Sequence, residues 1–414
     1  MQENNTINST ERLKQRILYE LYFENSMSCA DLSIKIKKSL PLIARSLNDL
    51  IEDHYVVEQG YAASSGGRRP LMYSLKPRAK LIVGVSMDQL STRIAIYDLM
   101  NDLVSEIQTV DLPLSNNPNA LPVLINFINT YIDNSGFDRS RIIGVGIGMP
   151  GFVDIKKGIN YSFLDAGGES LEKHLTEKIN LPVYIDNDSG LIALAELKFG
   201  KAKFKQNAMI VNIAWGIGLG MILNGELFRG HSGFAGEFSH IPTSDTGKLC
   251  SCGKRGCLET DASLLVLAQK AIEGIENGRL SSLQRSIKKP LKQLGEAIME
   301  EANKGDQFAI ELISGAGYAI GKGLAVLIHI INPEIIVLSG RGADVGKILS
   351  SSIQQAIYKY SIPRLAGSTE LQISALGIDA ELFGAAALVM EYVGKGLNRQ
   401  TALSSKKSEL VSNN

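Results

Sequence analysis

The chain has 414 residues, is 44% hydrophobic, and sets 43 Lys and Arg against 43 Asp and Glu. That length holds two or three domains with packed cores, and the zero net charge excludes a protein that works through one global basic or acidic field. No apolar run approaches the ~18–20 residues of a bilayer span and the polar stretch Met1–Thr6 lacks a signal-peptide core, so no membrane partner is expected; the cysteines read as a metal site rather than disulfides, which points to a reducing cytoplasm.

Residues 1–78 begin with helical periodicity. Leu13, Ile17, Leu18 and Leu21 recur at helical spacing. Ser28 is placed to cap a second helix holding Leu32 and Ile36. Ser39 is placed to cap a third, with Pro41 in its first turn and Leu42, Ile43, Leu47, Leu50 and Ile51 on its buried side. Tyr55–Glu58 and Leu71–Leu75 read as strands joined by a Gly/Ser-rich turn around Gly66 and Gly67. Three helices and a β-hairpin make a winged helix-turn-helix; the plainer alternative is a small module that binds another protein. The charges favour DNA. Lys35, Lys37, Lys38 and Arg45 gather near the start of the third helix and Arg68 and Arg69 at the hairpin tip, whereas Asp49, Glu52 and Asp53 lie at the helix's far end. A recognition helix enters the major groove by its N-terminal end, and a wing reaches phosphates or the minor groove. Ser39, Arg45, Arg68 and Arg69 are therefore the expected DNA contacts.

From residue 79 the pattern is α/β. Strands are expected at 81–85, 93–97, 104–110, 142–148 and 183–186, with helices at 119–133 and 189–199. A second series follows, with strands near 208–213, 217–223 and 335–338 and helices over 306–331 and 379–392. No fixed-period repeat is visible. The polar tail 396–414 is expected to be disordered.

Within the second series, His240 is followed after nine residues by Cys250, Cys252 and Cys257, three of the chain's four cysteines. One imidazole and three thiolates are the closed tetrahedral set of a structural Zn²⁺ site, one ion per chain. Glu237 and Glu259 flank it. A metal that holds one ring nitrogen of His240 leaves the other to face a ligand, and two carboxylates beside an imidazole suit a polyhydroxylated molecule.

The run Gly236-Glu237-Phe238-Ser239-His240 and the run Cys250-Ser251-Cys252-Gly253-Lys254-Arg255-Gly256-Cys257-Leu258-Glu259 resemble the signature of the ROK family, which contains sugar kinases and sugar-responsive repressors. Ser239 stands where that family has Gly. The resemblance covers residues 10 to 392. It implies a two-lobe actin-like (RNase H-like) fold behind the winged helix-turn-helix, with residues 79–189 plus 379–395 as one lobe and 190–378 as the other. It implies sugar contacts at Gly151, Asn187, Asp188, Glu237, His240 and Glu259. Asn187 also fits a plain helix cap.

The resemblance further implies that the phosphate-binding turns are damaged. Where family kinases have Asp-x-Gly-Gly-Thr, this chain has Ser86-Met87-Asp88-Gln89-Leu90; where they have Gly-Thr-Gly, it has Ala214-Trp215-Gly216; and the adenine-side glycines read Ser339-Gly340-Arg341-Gly342. Glycine lets backbone N–H groups approach a phosphate, whereas Asp88 and the bulk of Trp215 oppose it. The expectation is a non-catalytic, sugar-responsive regulator, dimeric or tetrameric, that binds a palindromic operator and a sugar or sugar phosphate. A sugar kinase with an accessory N-terminal domain is the alternative. A zinc-stabilised sugar-binding protein without DNA activity leaves the basic wing unexplained.

Overall fold

The computed structural model describes residues 9–62, 69–245 and 247–396. Gly66, Gly67, Arg68 and almost all of the expected tail lie outside those residues.

The N-terminal unit consists of α1 (Ser9–Glu24), β1 (Ser26–Ser28), α2 (Cys29–Ile36), α3 (Leu40–Glu52), β2 (Val56–Tyr61) and β3 (Leu71–Leu75), with the strands ordered β1-β3-β2. Ser28 caps α2 in a reciprocal box with Asp31. Ser39 occupies the N-cap of α3 but makes no side-chain cap bond. Pro41 removes one N–H it could serve, and the Leu42 N–H goes to the Ser39 carbonyl instead. Leu42 was expected inside and is 40% exposed. It sits beyond the edge of the stripe formed by Ile43, Leu47 and Leu50, which is the face that packs.

The first lobe contains β4 (Leu81–Met87), β5 (Ser91–Asp98), β6 (Gln108–Asp111), α4 (Ala120–Asn134), β7 (Ile142–Met149), the small hairpin β8 (Val153–Asp154) and β9 (Ile159–Asn160), α5 (Leu171–Ile179), β10 (Val183–Asn187) and α6 (Asp188–Lys198), which runs past the boundary expected at residue 189. The strand expected at 104–110 is shorter. The Ser105 hydroxyl takes the Ile96 N–H at 2.8 Å in place of a backbone carbonyl, and ladder pairing resumes only at Gln108. The second lobe contains β11 (Ala208–Ile213), β12 (Ile217–Leu223), β13 (Glu226–Phe228), α7 (Glu259–Ala262), α8 (Leu264–Glu276), α9 (Leu291–Asn303), α10 (Gln307–Ile331), β14 (Ile335–Ser339), α11 (Gly346–Tyr360), α12 (Pro363–Ala366) and β15 (Glu370–Ile373); α13 (Ala380–Gly394) returns to the first sheet.

The sheets run β6-β5-β4-β7-β10 and β13-β12-β11-β14-β15. Each is an antiparallel three-strand meander extended by two parallel strands. The lobes therefore share one topology. β4 is buried along its whole length, as a sheet covered on both faces requires. α13 lies so close to that sheet that a Cβ on Gly146 would meet the Ala385 carbonyl oxygen. α10 does have the length and apolar composition to cross a bilayer, contrary to the sequence expectation, but half of its apolar stretch is buried against the fold, as in a core helix.

α1 docks on α13. Tyr19 donates to Glu391 at 2.8 Å, and Lys198, at the end of α6, reaches Glu391 at 3.0 Å and lies 4.4 Å from the centre of the Phe23 ring. Phe199 packs 5.7 Å from Phe23. The N-terminal unit is thus held by the last turns of two first-lobe helices.

Candidate functional site

A cavity of about 380 Å³ lies between the lobes, and Gly151, Asn187, Asp188, Glu237, His240 and Glu259 all line it. Six residues separated by up to 108 positions are brought together by strand ends and turns. Asn187 ends β10 and caps α6, its Oδ1 accepting from the N–H groups of Ser189 and Gly190. Its Nδ2 donates to the Gly151 carbonyl at 3.1 Å. The cap and the site are thus one arrangement, with the amide fixing the Gly151 loop. Gly151 has φ +92°, and a Cβ there would come within 2.6 Å of the Ser162 side chain, so only glycine suits this turn.

Asp188 opens α6 with Oδ1 on its neighbour Ser189 and Oδ2 3.4 Å from Asn212 Nδ2. Burial raises its pKa to about 6, the Ser189 hydrogen bonds oppose the rise, and the charges of Asp88 and Glu237 add to it. Glu259 accepts from the Ile217 N–H at 2.9 Å, and burial raises it to about 7. Burial also raises Glu237 and lowers His240. Ser239 lies in a short turn, Phe238–His240, with ordinary negative φ, so this position does not need glycine.

The sign of the Asp188 shift gives a testable consequence. Its folded pKa of about 6 exceeds the unfolded value of about 3.9, so the folded protein binds more protons between the two. Stability is therefore lost as pH rises through that window. Asp188→Asn is expected to raise unfolding free energy by up to about 3 kcal/mol at pH 8 and by much less at pH 4.5. Urea melts of both proteins at the two pH values check this; a gain that does not vary with pH contradicts it.

The metal-type cluster is formed. One donor atom each from His240, Cys250, Cys252 and Cys257 lies within 4.8 Å of the others. Cys250 Sγ is 3.6 Å from His240 Nδ1, and Cys252 Sγ is 3.6 Å from Cys257 Sγ. A tetrahedron of ligands about 2.3 Å from its centre has edges of about 3.8 Å, so the set fits a structural metal. Nδ1 faces the thiols while Nε2 points the other way, 3.8 Å from Glu237 Oε2.

Deeper in the cleft the lobes meet at Asp88. Its Oδ1 accepts from the Leu90 and Ser91 N–H groups, and its Oδ2 accepts from Trp215 Nε1 at 3.0 Å and Arg341 at 3.2 Å. The Arg341 guanidinium lies 4.8 Å from the centre of the Trp215 ring, which is only 1% exposed. Ser86 donates to the buried Glu381 at 2.6 Å. Sequence reasoning singled out Ser86, Asp88, Trp215 and Arg341 as losses; it missed that three of them join. It also missed Arg229, paired across the lobes with Asp186. A lone arginine in a Gly-rich loop carries no signal for that.

On the N-terminal unit, Arg45 and Arg69 are exposed and have no ion pair or hydrogen bond among the described residues; Ser39 is exposed at the head of α3. Lys35 is not available in the same way, being paired with Glu20 at 3.4 Å and with Glu24.

A sequence profile described as the ROK family matches residues 83–392. The xylose repressor of Bacillus spizizenii is 31% identical over 394 residues, covering 92% of this chain and 96% of that protein. A glucokinase of Halalkalibacterium halodurans is 34% identical over 256 residues, 61% of this chain and 78% of that one. Among solved structures, a ROK family transcriptional regulator described as a homolog of the E. coli Mlc protein is 26% identical with a TM-score of 0.75, covering 95% of this chain and all of that one.

Proposed function

The chain belongs to the ROK family, and from that premise we propose that it is a sugar-responsive transcriptional regulator whose kinase-like lobes bind a sugar without phosphorylating it. The observation that carries this reading is α6. Its first residue, Asp188, lines the cavity, and its last, Lys198, reaches Glu391 and Tyr19 at the docked N-terminal unit. An α-helix of eleven residues spans about 16 Å as one rigid rod. A ligand that binds one lobe arrangement better than another shifts the population, and α6 offers a direct mechanical path from that shift to α1.

Asp188, Glu259 and Glu237 would accept hydrogen bonds from sugar hydroxyls, with His240 Nε2 facing the same space. In this reading the metal is zinc, which His/Cys₃ donor sets favour, and it supplies rigidity to His240 and Glu259. Operator DNA would be met by Ser39 and Arg45 from α3 and by Arg68 and Arg69 from the wing. A palindromic operator calls for a two-fold symmetric assembly.

The phosphate end of the cleft supports a non-catalytic reading. Where the family kinases offer glycine N–H groups to phosphate, this chain has the Asp88 carboxylate, and the nearby donors Trp215 and Arg341 are both spent on it. Ser86, where the family kinases have Asp, is engaged with the buried Glu381 instead of facing the cleft as a carboxylate. Mg-ATP with hexoses, hexosamines or pentoses is expected to give no phosphoryl transfer in a coupled assay. Turnover near the ~1–100 s⁻¹ of kinases would establish the alternative, a sugar kinase with an accessory N-terminal unit.

A further inference from the structure

Building on the sugar-binding reading, we propose that the ligand is an uncharged glycoside of at least two rings, with one ring in the polar inner end of the cavity and a second against an aromatic outer wall. Size is the first argument. A hexose takes the room of roughly six waters, and the cavity, at about 380 Å³, holds well more than that. The inner end is closed by Trp215, so the surplus lies outward.

Phe152, Phe163, Phe228 and Phe234 also line the cavity, and Phe152 and Phe228 are open to solvent. Phe152 comes from the first lobe and Phe234 from the second, and their rings meet edge to face with centroids 5.7 Å apart. Tyr161 flanks Phe234 at 6.1 Å. The wall is braced before any ligand arrives: the Phe152 N–H donates to Ser162 Oγ at 3.0 Å, the Tyr161 N–H to the Phe152 carbonyl at 2.9 Å, and the Phe163 N–H to Asn160 Oδ1 at 3.0 Å. Phe152 and Phe228 nevertheless stay 40% and 43% exposed. Exposed aromatic area continuous with a polar pocket marks a binding surface. The C–H face of a pyranose carries the slight positive charge that an aromatic face attracts.

Charge is the second argument, and it separates sugars from sugar phosphates. Asp88, Asp186, Asp188, Glu237 and Glu259 line the cavity. Among the described residues Arg229 is the one Lys or Arg that does so, and Asp186 already holds it. A phosphate of nearly two negative charges has no free cation to meet here.

The test is calorimetric titration of the intact protein with glucose, xylose and N-acetylglucosamine, the 6-phosphates of the two hexoses, and the disaccharides cellobiose, maltose, xylobiose and chitobiose. One disaccharide is expected to bind at least tenfold tighter than its own monosaccharide, and each 6-phosphate at least tenfold weaker than its parent sugar. Phe152→Ala and Phe234→Ala should each weaken disaccharide binding at least tenfold more than monosaccharide binding. A monosaccharide that binds as well as or better than its disaccharides, a 6-phosphate that binds tighter than its sugar, or alanine variants that weaken one-ring and two-ring sugars equally would overturn the proposal while leaving the sugar-binding reading in place. Binding of none of these compounds would overturn both.

Discussion

Cys252→Ser is expected to cost the protein its metal and, with it, roughly 10–100-fold in sugar affinity. Between Ile241 and Leu258 the described chain is held by a few scattered backbone bonds, such as Thr243 N–H to the Gly256 carbonyl and Leu258 N–H to that of Ile241. Holding a metal, the four-donor cluster would be the strongest crosslink among the described residues there. Without it, His240 loses its Nδ1 anchor, and Glu259, two residues past Cys257, loses the constraint that aims it at the Ile217 N–H. Cys252 is the exposed member of the three thiols, so serine there opens no core cavity. Cys29→Ser, on α2 of the N-terminal unit, is the control and should leave metal content and sugar affinity as they were. Elemental analysis should give one zinc per chain for wild type and none for Cys252→Ser; sugar affinity unchanged in the zinc-free variant contradicts the coupling.

Arg45→Ala is expected to cost about 1–3 kcal/mol on a selected operator duplex and to relax base preference at one position per half-site. Arg45 projects from the exposed side of α3, opposite the Ile43, Leu47 and Leu50 stripe, and nothing described engages it. Arg69→Ala should weaken binding to all sequences alike and flatten the log–log salt dependence by about one unit, the mark of a lost phosphate contact. Should the wing arginines sit in the minor groove, the loss would follow A·T content instead. Titrations against selected and random duplexes at several salt concentrations distinguish these outcomes.

Much of this molecule was legible in the sequence where one physical signal dominated. The buried runs that became β4, β7 and β14 read as strands because a sheet covered on both faces leaves no room for polar alternation. The thiol cluster read from spacing alone. α9 and α11, which are not among the expected helices, carry the same kind of signal: Leu294, Ile298 and Ala302, and Leu349, Ile353 and Ile357, recur at helical spacing. The duplication of the two sheets left no sequence period, because strand order constrains which positions are buried and not which apolar residue fills them. The meeting of Asp88, Trp215 and Arg341 was not legible either. Each looked like the loss of a phosphate contact, and only the closing of two lobes shows that 127 residues separate a carboxylate from the indole it accepts from. The aromatic wall has the same origin, since Phe152 and Phe234 belong to different lobes.

The most direct test of the account is the affinity of the intact protein for duplexes recovered by selection from a random library, measured across a salt series with and without a sugar that the protein binds. Tight, salt-dependent binding is expected, with an affinity that the sugar shifts at least fivefold, the low end of a coupling of about 1–3 kcal/mol. No duplex enriched by selection, or a duplex affinity that a saturating sugar leaves unchanged, would contradict it.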